Sequence, residues 1–181
     1  MKSPFYFLVK PIGDRYTNVK KIGDNTLLLN TEISNHEFVN RHAKVISSPS
    51  AYETGIKPGE ELIIHHNVFR RWYDIKGRER NSSSFIKEDL FTVAFDQVFL
   101  HKKENKWKPL KGFCFVQPIK NKIKYDLNPE KPLIGKVVYG NGDIKEGEIV
   151  GFSPGDEYEF VINGKRLYRV MDKYITMKYE N

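Results

Sequence analysis

Two groups of side chains in this sequence have the types and spacing that could support binding or chemistry. The first is His65 and His66, two adjacent imidazoles of the kind that bind metal ions. Adjacent residues of a strand point to opposite faces, so this pair cannot chelate one ion unless a turn lies there. We therefore expect no metal site at this position.

The second group mixes cations with aromatic rings and consists of Arg70, Arg71, Trp72, Tyr73, Arg78 and Arg80. Phosphate contacts combined with base stacking hold single-stranded nucleic acid in many proteins, and these residue types could supply both. A solvated hairpin tip is the interpretation that we favour, and we do not expect nucleic acid as a partner. Nucleic-acid binding stays open as the alternative.

Nothing in the sequence indicates catalytic machinery. No order of Ser, His and Asp or of Cys and His suggests a nucleophile with its base. Cys114 lies between two phenylalanines in an apolar run, which is typical of a small buried residue. The run GNG at residues 140–142 is a turn signal and lacks the rest of a nucleotide-binding fingerprint. We expect a protein that is not an enzyme and holds no cofactor.

The segments that must position these residues repeat along the chain. Four blocks recur in the same order: LVKPI at 8–12 with FVQPI at 115–119, AKVI at 43–46 with GKVV at 135–138, IKPGEELIIHHN at 56–67 with IKEGEIVGFSPG at 144–155, and DLFTVAFDQVFLH at 89–101 with RLYRVMDKYITMK at 166–178. Ordered recurrence of four blocks predicts an internal duplication. A single large β domain with similar strands is the alternative.

Each copy has the composition of β structure. Its blocks are short runs rich in Val, Ile, Phe, Tyr and Leu, separated by turn signals. Asn163 and Gly164 separate two such runs and predict a tight hairpin turn. The charged, proline-containing stretch at 102–112 predicts a linker at residues 104–112. It divides a first domain, residues 1–103, from a second, residues 113–181.

Composition narrows the class of protein. Lys and Arg outnumber Asp and Glu by 30 to 23, a formal net charge of +7 that favours acidic partners. A single cysteine excludes an internal disulfide, so an oxidising compartment is not needed. The apolar run near the N-terminus is broken by Lys10 and Pro11 and is too short for a signal peptide or a membrane span. We expect a soluble, cytoplasmic protein with no membrane partner.

The order of features in each copy resembles the small co-chaperonin family, the GroES-like lids of chaperonin rings. An early strand that ends in a basic or polar residue and proline is followed by a loop, by AKVI or GKVV, by the IKPGEELII or IKEGEIVGF block, and by a final strand pair such as YRVMDKYITMKY. The resemblance covers most of the chain. It implies an all-β fold of two tandem GroES-like small β-barrels joined by a short charged linker.

The resemblance also implies a function. Members of this family form a homo-oligomeric ring, heptameric by family resemblance, that caps a GroEL-like chaperonin and assists protein folding, while ATP is bound by the chaperonin. A mobile loop after the first strand docks an aliphatic tripeptide in an apolar groove of that partner. Here the loop spans about residues 13–41, and Leu27, Leu28 and Leu29 stand at the tripeptide position, after Asp24 and Asn25 where the family has a glycine pair. An ordinary buried strand is the alternative for the three leucines.

The two copies differ in ways that divide their expected roles. The second has a shorter connection after its first strand, with Pro129 and Pro132 and no aliphatic triplet, so we expect only the first copy to dock. The first copy has an insertion at about residues 67–85 that contains the basic and aromatic group, on a hairpin tip or a ring-lining surface. The rival function is a structural protein that reuses the barrel as a coat, scaffold or nucleic-acid-binding protein, in a virus for example.

Overall fold

The chain folds into antiparallel β-sheets connected by turns and single-turn 3-10 helices. The computed structural model describes residues 1–17, 19–22, 25–28, 35–121, 130–155 and 157–179. Contacts between Cα atoms divide the chain into two compact units, Met1–Asn105 and Lys106–Asn181.

The first unit contains ten of the described strands and three of the short helices. The strands are β1 (Phe7–Pro11), β2 (Val19–Ile22), β3 (Asn25–Leu28), β4 (His42–Ser47), β5 (Glu61–Ile64), β6 (Arg71–Tyr73), β7 (Glu79–Asn81), β8 (Phe85–Lys87), β9 (Leu90–Val93) and β10 (Val98–Lys103). The 3-10 helices are η1 (His36–Phe38), η2 (His66–Val68) and η3 (Phe95–Gln97).

The second unit contains the remaining described strands and one short helix. The strands are β11 (Lys106–Pro109), β12 (Phe113–Lys120), β13 (Glu130–Tyr139), β14 (Ile149–Phe152), β15 (Tyr158–Ile162), β16 (Lys165–Met171) and β17 (Ile175–Tyr179), and the helix is η4 (Asp172–Tyr174). None of the helices in the described part of the chain has the length and apolar character needed to cross a bilayer.

The main sheets of the two units have the same strand order. Among the strands of the first unit the order is β10-β5-β4-β1-β9-β8, and in the second unit it is β17-β14-β13-β12-β16-β15. The four sequence blocks that recur lie on corresponding strands: β1 and β12, β4 and β13, the approach to β5 and β14, and the pairs β9–β10 and β16–β17. Similar sequences in the same order thus produce the same sheet.

The strand registers correspond as well. In the first unit Val9 lies opposite Val45 and the register shifts between Leu8 and Val9. In the second unit Val116 lies opposite Val137, and the same irregularity precedes it. A one-residue slip would move every side chain to the other face, so matching registers place equivalent residues in both cores.

Two backbone hydrogen bonds extend this correspondence to the turn before β5 and β14. The amide of Gly59 donates to the carbonyl of Val45 over 2.8 Å, and that of Gly147 donates to Val137 over 2.8 Å. The repeated block IKPGEE and IKEGEI therefore builds the same turn twice.

The central strand of each sheet is buried on both faces. Phe7, Leu8 and Val9 of β1 are buried in succession, as are Cys114, Phe115 and Val116 of β12. Consecutive buried residues indicate that both faces are covered, because alternate side chains point to opposite sides. Around Cys114 the core consists of Val116, Val137, Ile144, Val150, Phe152 and Val170.

Two local features bear on the sequence predictions. Strands β15 and β16 pair across Asn163 and Gly164, which have φ angles of 51° and 72°. The predicted tight hairpin turn is therefore confirmed, since such turns need positive φ at both central residues. Within the segment where we expect a linker, residues 106–109 form β11, and its Trp107 is buried between two exposed lysines.

The close approach at Gly140 provides a test of the turn after β13. A Cβ atom at this position would collide with the carbonyl oxygen of Ile144, which accepts a hydrogen bond from the Asn141 amide. Gly140→Ala should therefore lower the free energy of unfolding by about 1–3 kcal/mol in urea denaturation. Asp143→Ala, an exposed change in the same turn, should alter it by less than about 0.5 kcal/mol. Equal effects of the two substitutions would contradict the assigned turn geometry.

Candidate functional site

A hydrogen-bonded stem closes the base of the long connection between β1 and β4. The side chain of Asn40 is buried and donates to the carbonyls of Ile12 and Asp14 over 2.9 and 2.8 Å. Its Oδ1 accepts the backbone amide of His42 over 2.8 Å. The buried side-chain amide of Asn40 therefore has hydrogen-bond partners on both sides of the connection and holds its two ends together.

Backbone bonds continue the stem outward from Asn40. The amide of Asn40 donates to the carbonyl of Arg15 over 2.9 Å, and the amide of Thr17 donates to Phe38 over 2.8 Å. Between them, Tyr16 and Val39 form an isolated antiparallel bridge. The two ends of the connection are therefore held together next to β1 and β4.

The predicted chaperonin-binding leucines lie in this connection. Leu27 and Leu28 are the last two residues of β3, opposite Lys20 and Val19 of β2 in a two-stranded antiparallel sheet. Leu29 lies outside the described residues. The backbone of the first two leucines is therefore extended and paired, and their role in docking stays a prediction.

The corresponding connection of the second unit lies between β12 and β13. Residues 122–129, which include Pro129, lie outside the described residues, and Pro132 lies within β13. The long connection of the first unit and the short connection of the second therefore join corresponding strands. This is the difference that we expect to restrict docking to the first unit.

The basic and aromatic group forms a hairpin, β6–β7, whose base is fixed to the first unit by Arg15. The guanidinium of Arg15 donates twice to the carbonyl of the buried Phe69, over 3.2 and 2.8 Å, and once to Oδ1 of Asn81 over 2.8 Å. It also lies 4.9 Å from the ring centroid of Phe91. One side chain therefore links both strands of the hairpin to the core.

A second contact holds the first strand of the hairpin. The backbone amide of Arg71 donates to the hydroxyl of Tyr16 over 2.6 Å, and the Arg71 guanidinium lies 4.7 Å from the centroid of that ring. Arg71 also pairs with Glu79 across the hairpin at 3.0 Å. The positive charge of Arg71 is therefore paired within the protein.

The structure divides the five residues of the predicted basic surface into two sets. Arg70 and Arg71 lie at the base and are partly buried, whereas Trp72, Arg78 and Arg80 are exposed on the hairpin. Trp72 lies opposite Arg80 in the register of the two strands, and Arg78 lies in the turn just before β7. The sequence alone does not separate these sets, since the separation depends on the contacts of Arg15 and Tyr16.

A cluster of histidines surrounds the end of β5. The ring centroid of His66 lies 4.4 Å from that of His65 and 5.1 Å from that of His36. Burial lowers the pKa of His66 to about 3, with further contributions from His65, Arg41, His36 and Arg70. The sequence indicates the adjacent pair, but the distant His36 joins it only through the fold.

Potential metal ligands and the single cysteine are separate features of the described residues. Among them, no group of three or more His, Cys, Asp and Glu side chains is placed to hold a metal ion. Cys114 is fully buried in the apolar core of the second unit.

The fold and these two features define an all-β protein with two units of the same strand order, of which the first carries both additional elements. No protein-family model matches the chain, and no curated protein matches it significantly.

The lowered pKa of His66 predicts acid sensitivity of the first unit. In the unfolded chain, His66 is protonated once the pH falls below its usual pKa of 6.5. In the folded chain, it stays neutral until about pH 3. The free energy of unfolding therefore decreases as the pH falls from 6.5 towards 3. Urea unfolding midpoints measured between pH 7 and pH 4 should fall less in His66→Phe, which keeps a ring but cannot be protonated. The same fall in both proteins would contradict the assignment.

The contacts of Arg15 predict that a lysine cannot replace it. Arg15→Lys keeps the charge but loses the forked bonds to Phe69 and Asn81, and should lower the free energy of unfolding by about 1–3 kcal/mol. Arg78→Lys, the same substitution at an exposed position, should change it by less than about 0.5 kcal/mol. Urea denaturation of both variants tests this, and a similar small change in the two would show that Arg15 does not anchor the hairpin.

Proposed function

We propose that this protein is a co-chaperonin, built of two tandem GroES-like small β-barrels, that assembles into a ring-shaped lid on a GroEL-like chaperonin. The lid closes the chamber in which client proteins fold. ATP is bound and hydrolysed by the chaperonin, and the lid itself is not an enzyme and holds no cofactor.

The observation that carries the proposal is the position of the leucines in the connection after the first strand of the repeated sheet. The sequence resemblance implies a docking loop directly after the first strand of the barrel. In the first unit the connection at that point is long, is closed at its base by the Asn40 stem and includes Leu27 and Leu28. The second unit has only residues 121–129 between the corresponding strands. This asymmetry supports one docking loop per chain.

Ring assembly explains how a weak loop contact can close a chamber. Each subunit presents one short aliphatic segment, and a ring presents several of them to the same partner at once. Simultaneous engagement raises the effective concentration of each loop without a strong individual contact. If the loop becomes more ordered on docking, the ordering cost keeps the lid releasable.

The second unit then has a structural part in the assembly. Because it repeats the sheet without the long connection, it adds wall height or a separate contact within the ring. In the rival function, a coat, scaffold or nucleic-acid-binding protein, both units would serve only as building blocks.

Native mass determination tests the proposal. The purified chain should form a ring by itself, and the ring should co-migrate with a bacterial-type chaperonin only when ADP or ATP is present. Replacing Leu27, Leu28 and Leu29 together by serine should leave the mass of the ring and the far-ultraviolet circular dichroism unchanged and abolish co-migration, because the apolar docking contact is lost.

A matched control makes the same chemical change outside the loop. Ile75, Ile86 and Val161 are exposed aliphatic residues, and their joint replacement by serine should leave co-migration intact. Capping that survives in the leucine variant would show that the loop assignment is wrong. A monomer, or a ring indifferent to the chaperonin, would contradict the lid and favour the rival function.

A further inference from the structure

The β6–β7 hairpin is an addition to the repeated sheet that the lid function does not use. It lies between β5 and β8, whereas in the second unit only residues 153–157 separate the corresponding strands β14 and β15. Its base is held by Arg15 and Tyr16, as described above. A rigid projection found in one unit alone is available for a separate binding role.

The hairpin presents an exposed indole close to exposed guanidinium groups. Trp72 is 45% exposed and lies directly opposite Arg80. Arg78 is exposed in the turn just before β7. The hairpin therefore offers both a ring for stacking and cations for phosphate contacts.

The charge of the hairpin is complementary to a polyanion. Residues 70–80 contain five cationic and two acidic side chains. Both acids are engaged internally: Glu79 pairs with Arg71 at 3.0 Å, and Asp74 pairs with Arg80 at 3.0 Å. Asp74 also accepts the backbone amides of Lys76 and Arg78, each over 2.9 Å.

Two of the other cations, Lys76 and Arg78, are exposed and available to an external partner. Within the part of the chain that the structure describes, the side chains of Lys76 and Arg78 form no ion pair. The hydrogen bonds of Asp74 hold the turn between β6 and β7, so these two cations are carried on an ordered loop. The surface is therefore organised before any ligand arrives, which lowers the cost of binding.

We infer that the β6–β7 hairpin binds single-stranded nucleic acid, with the indole of Trp72 stacked on a base and Lys76 and Arg78 in contact with phosphates. Single strands fit better than duplexes, because a base must leave its own stack to lie on the ring. An acidic peptide would satisfy the cations but has no use for a stacking ring. The site is independent of the proposed lid function.

The chain contains its own reporter for this interaction. It has two tryptophans, of which Trp107 is only 6% exposed, so quenching by a ligand at the surface reports on Trp72. Titration with a short oligothymidine should quench the fluorescence, and the apparent affinity should fall steeply as salt is added. No chaperonin is present in this experiment, so its outcome and the outcome of the lid experiment can be told apart.

Substitutions locate the site. K76E with R78E should weaken oligothymidine binding by about tenfold or more, because two phosphate contacts are lost. K131E with K165E makes the same change in net charge at exposed positions of the second unit and should leave the affinity within about twofold. Trp72→Ala, measured by anisotropy of a labelled oligothymidine, should weaken binding by about tenfold through the loss of stacking.

Three results would overturn the inference. The first is the absence of quenching at low salt, and the second is an equal loss of affinity in both charge-reversal pairs, which would indicate a diffuse electrostatic effect. The third is quenching by polyglutamate that equals quenching by oligothymidine and depends equally on Lys76 and Arg78. That last result would assign the hairpin to an acidic protein instead.

Discussion

Each unit depends on one strand that is paired along both of its edges and buried on both of its faces. In the first unit this strand is β1, between β4 and β9, and in the second it is β12, between β13 and β16. Its position fixes the register of the neighbouring strands, because a slip of one residue would expose the side chains that are now buried. The two units therefore keep the same registers although many of their residues differ.

The two units differ in the connections between strands, where a change in length does not alter the pairing of the central strand. The segment after β1 and the segment after β5 are both long in the first unit and short in the second. Neither change disturbs the central pairing, since each is closed at its base, one by Asn40 and the other by Arg15. Binding elements are commonly carried in this way, on loops held by a rigid scaffold.

The sequence predicts most of the repeated sheet but few of the contacts that complete the candidate sites. Ordered blocks and turn residues such as Asn163 and Gly164 are local signals, and the strands follow them. Local patterns do not indicate that Arg15 reaches Phe69, or that His36 meets His66, because these pairs are far apart in the chain. In β11 the buried Trp107 lies between two exposed lysines, which is the alternation expected of a strand. The many charged residues and the proline nearby make the same segment look like a linker in the sequence.

In the proposed function, the segment after β1 in the first unit contacts a chaperonin. Hydrogen exchange of the backbone amides, measured with and without a bacterial-type chaperonin and ATP, would detect that contact. Protection should increase in a segment containing Leu27, Leu28 and Leu29 and should be unchanged at residues 121–129. Equal protection of both connections, or unchanged exchange in the leucine segment, would contradict it.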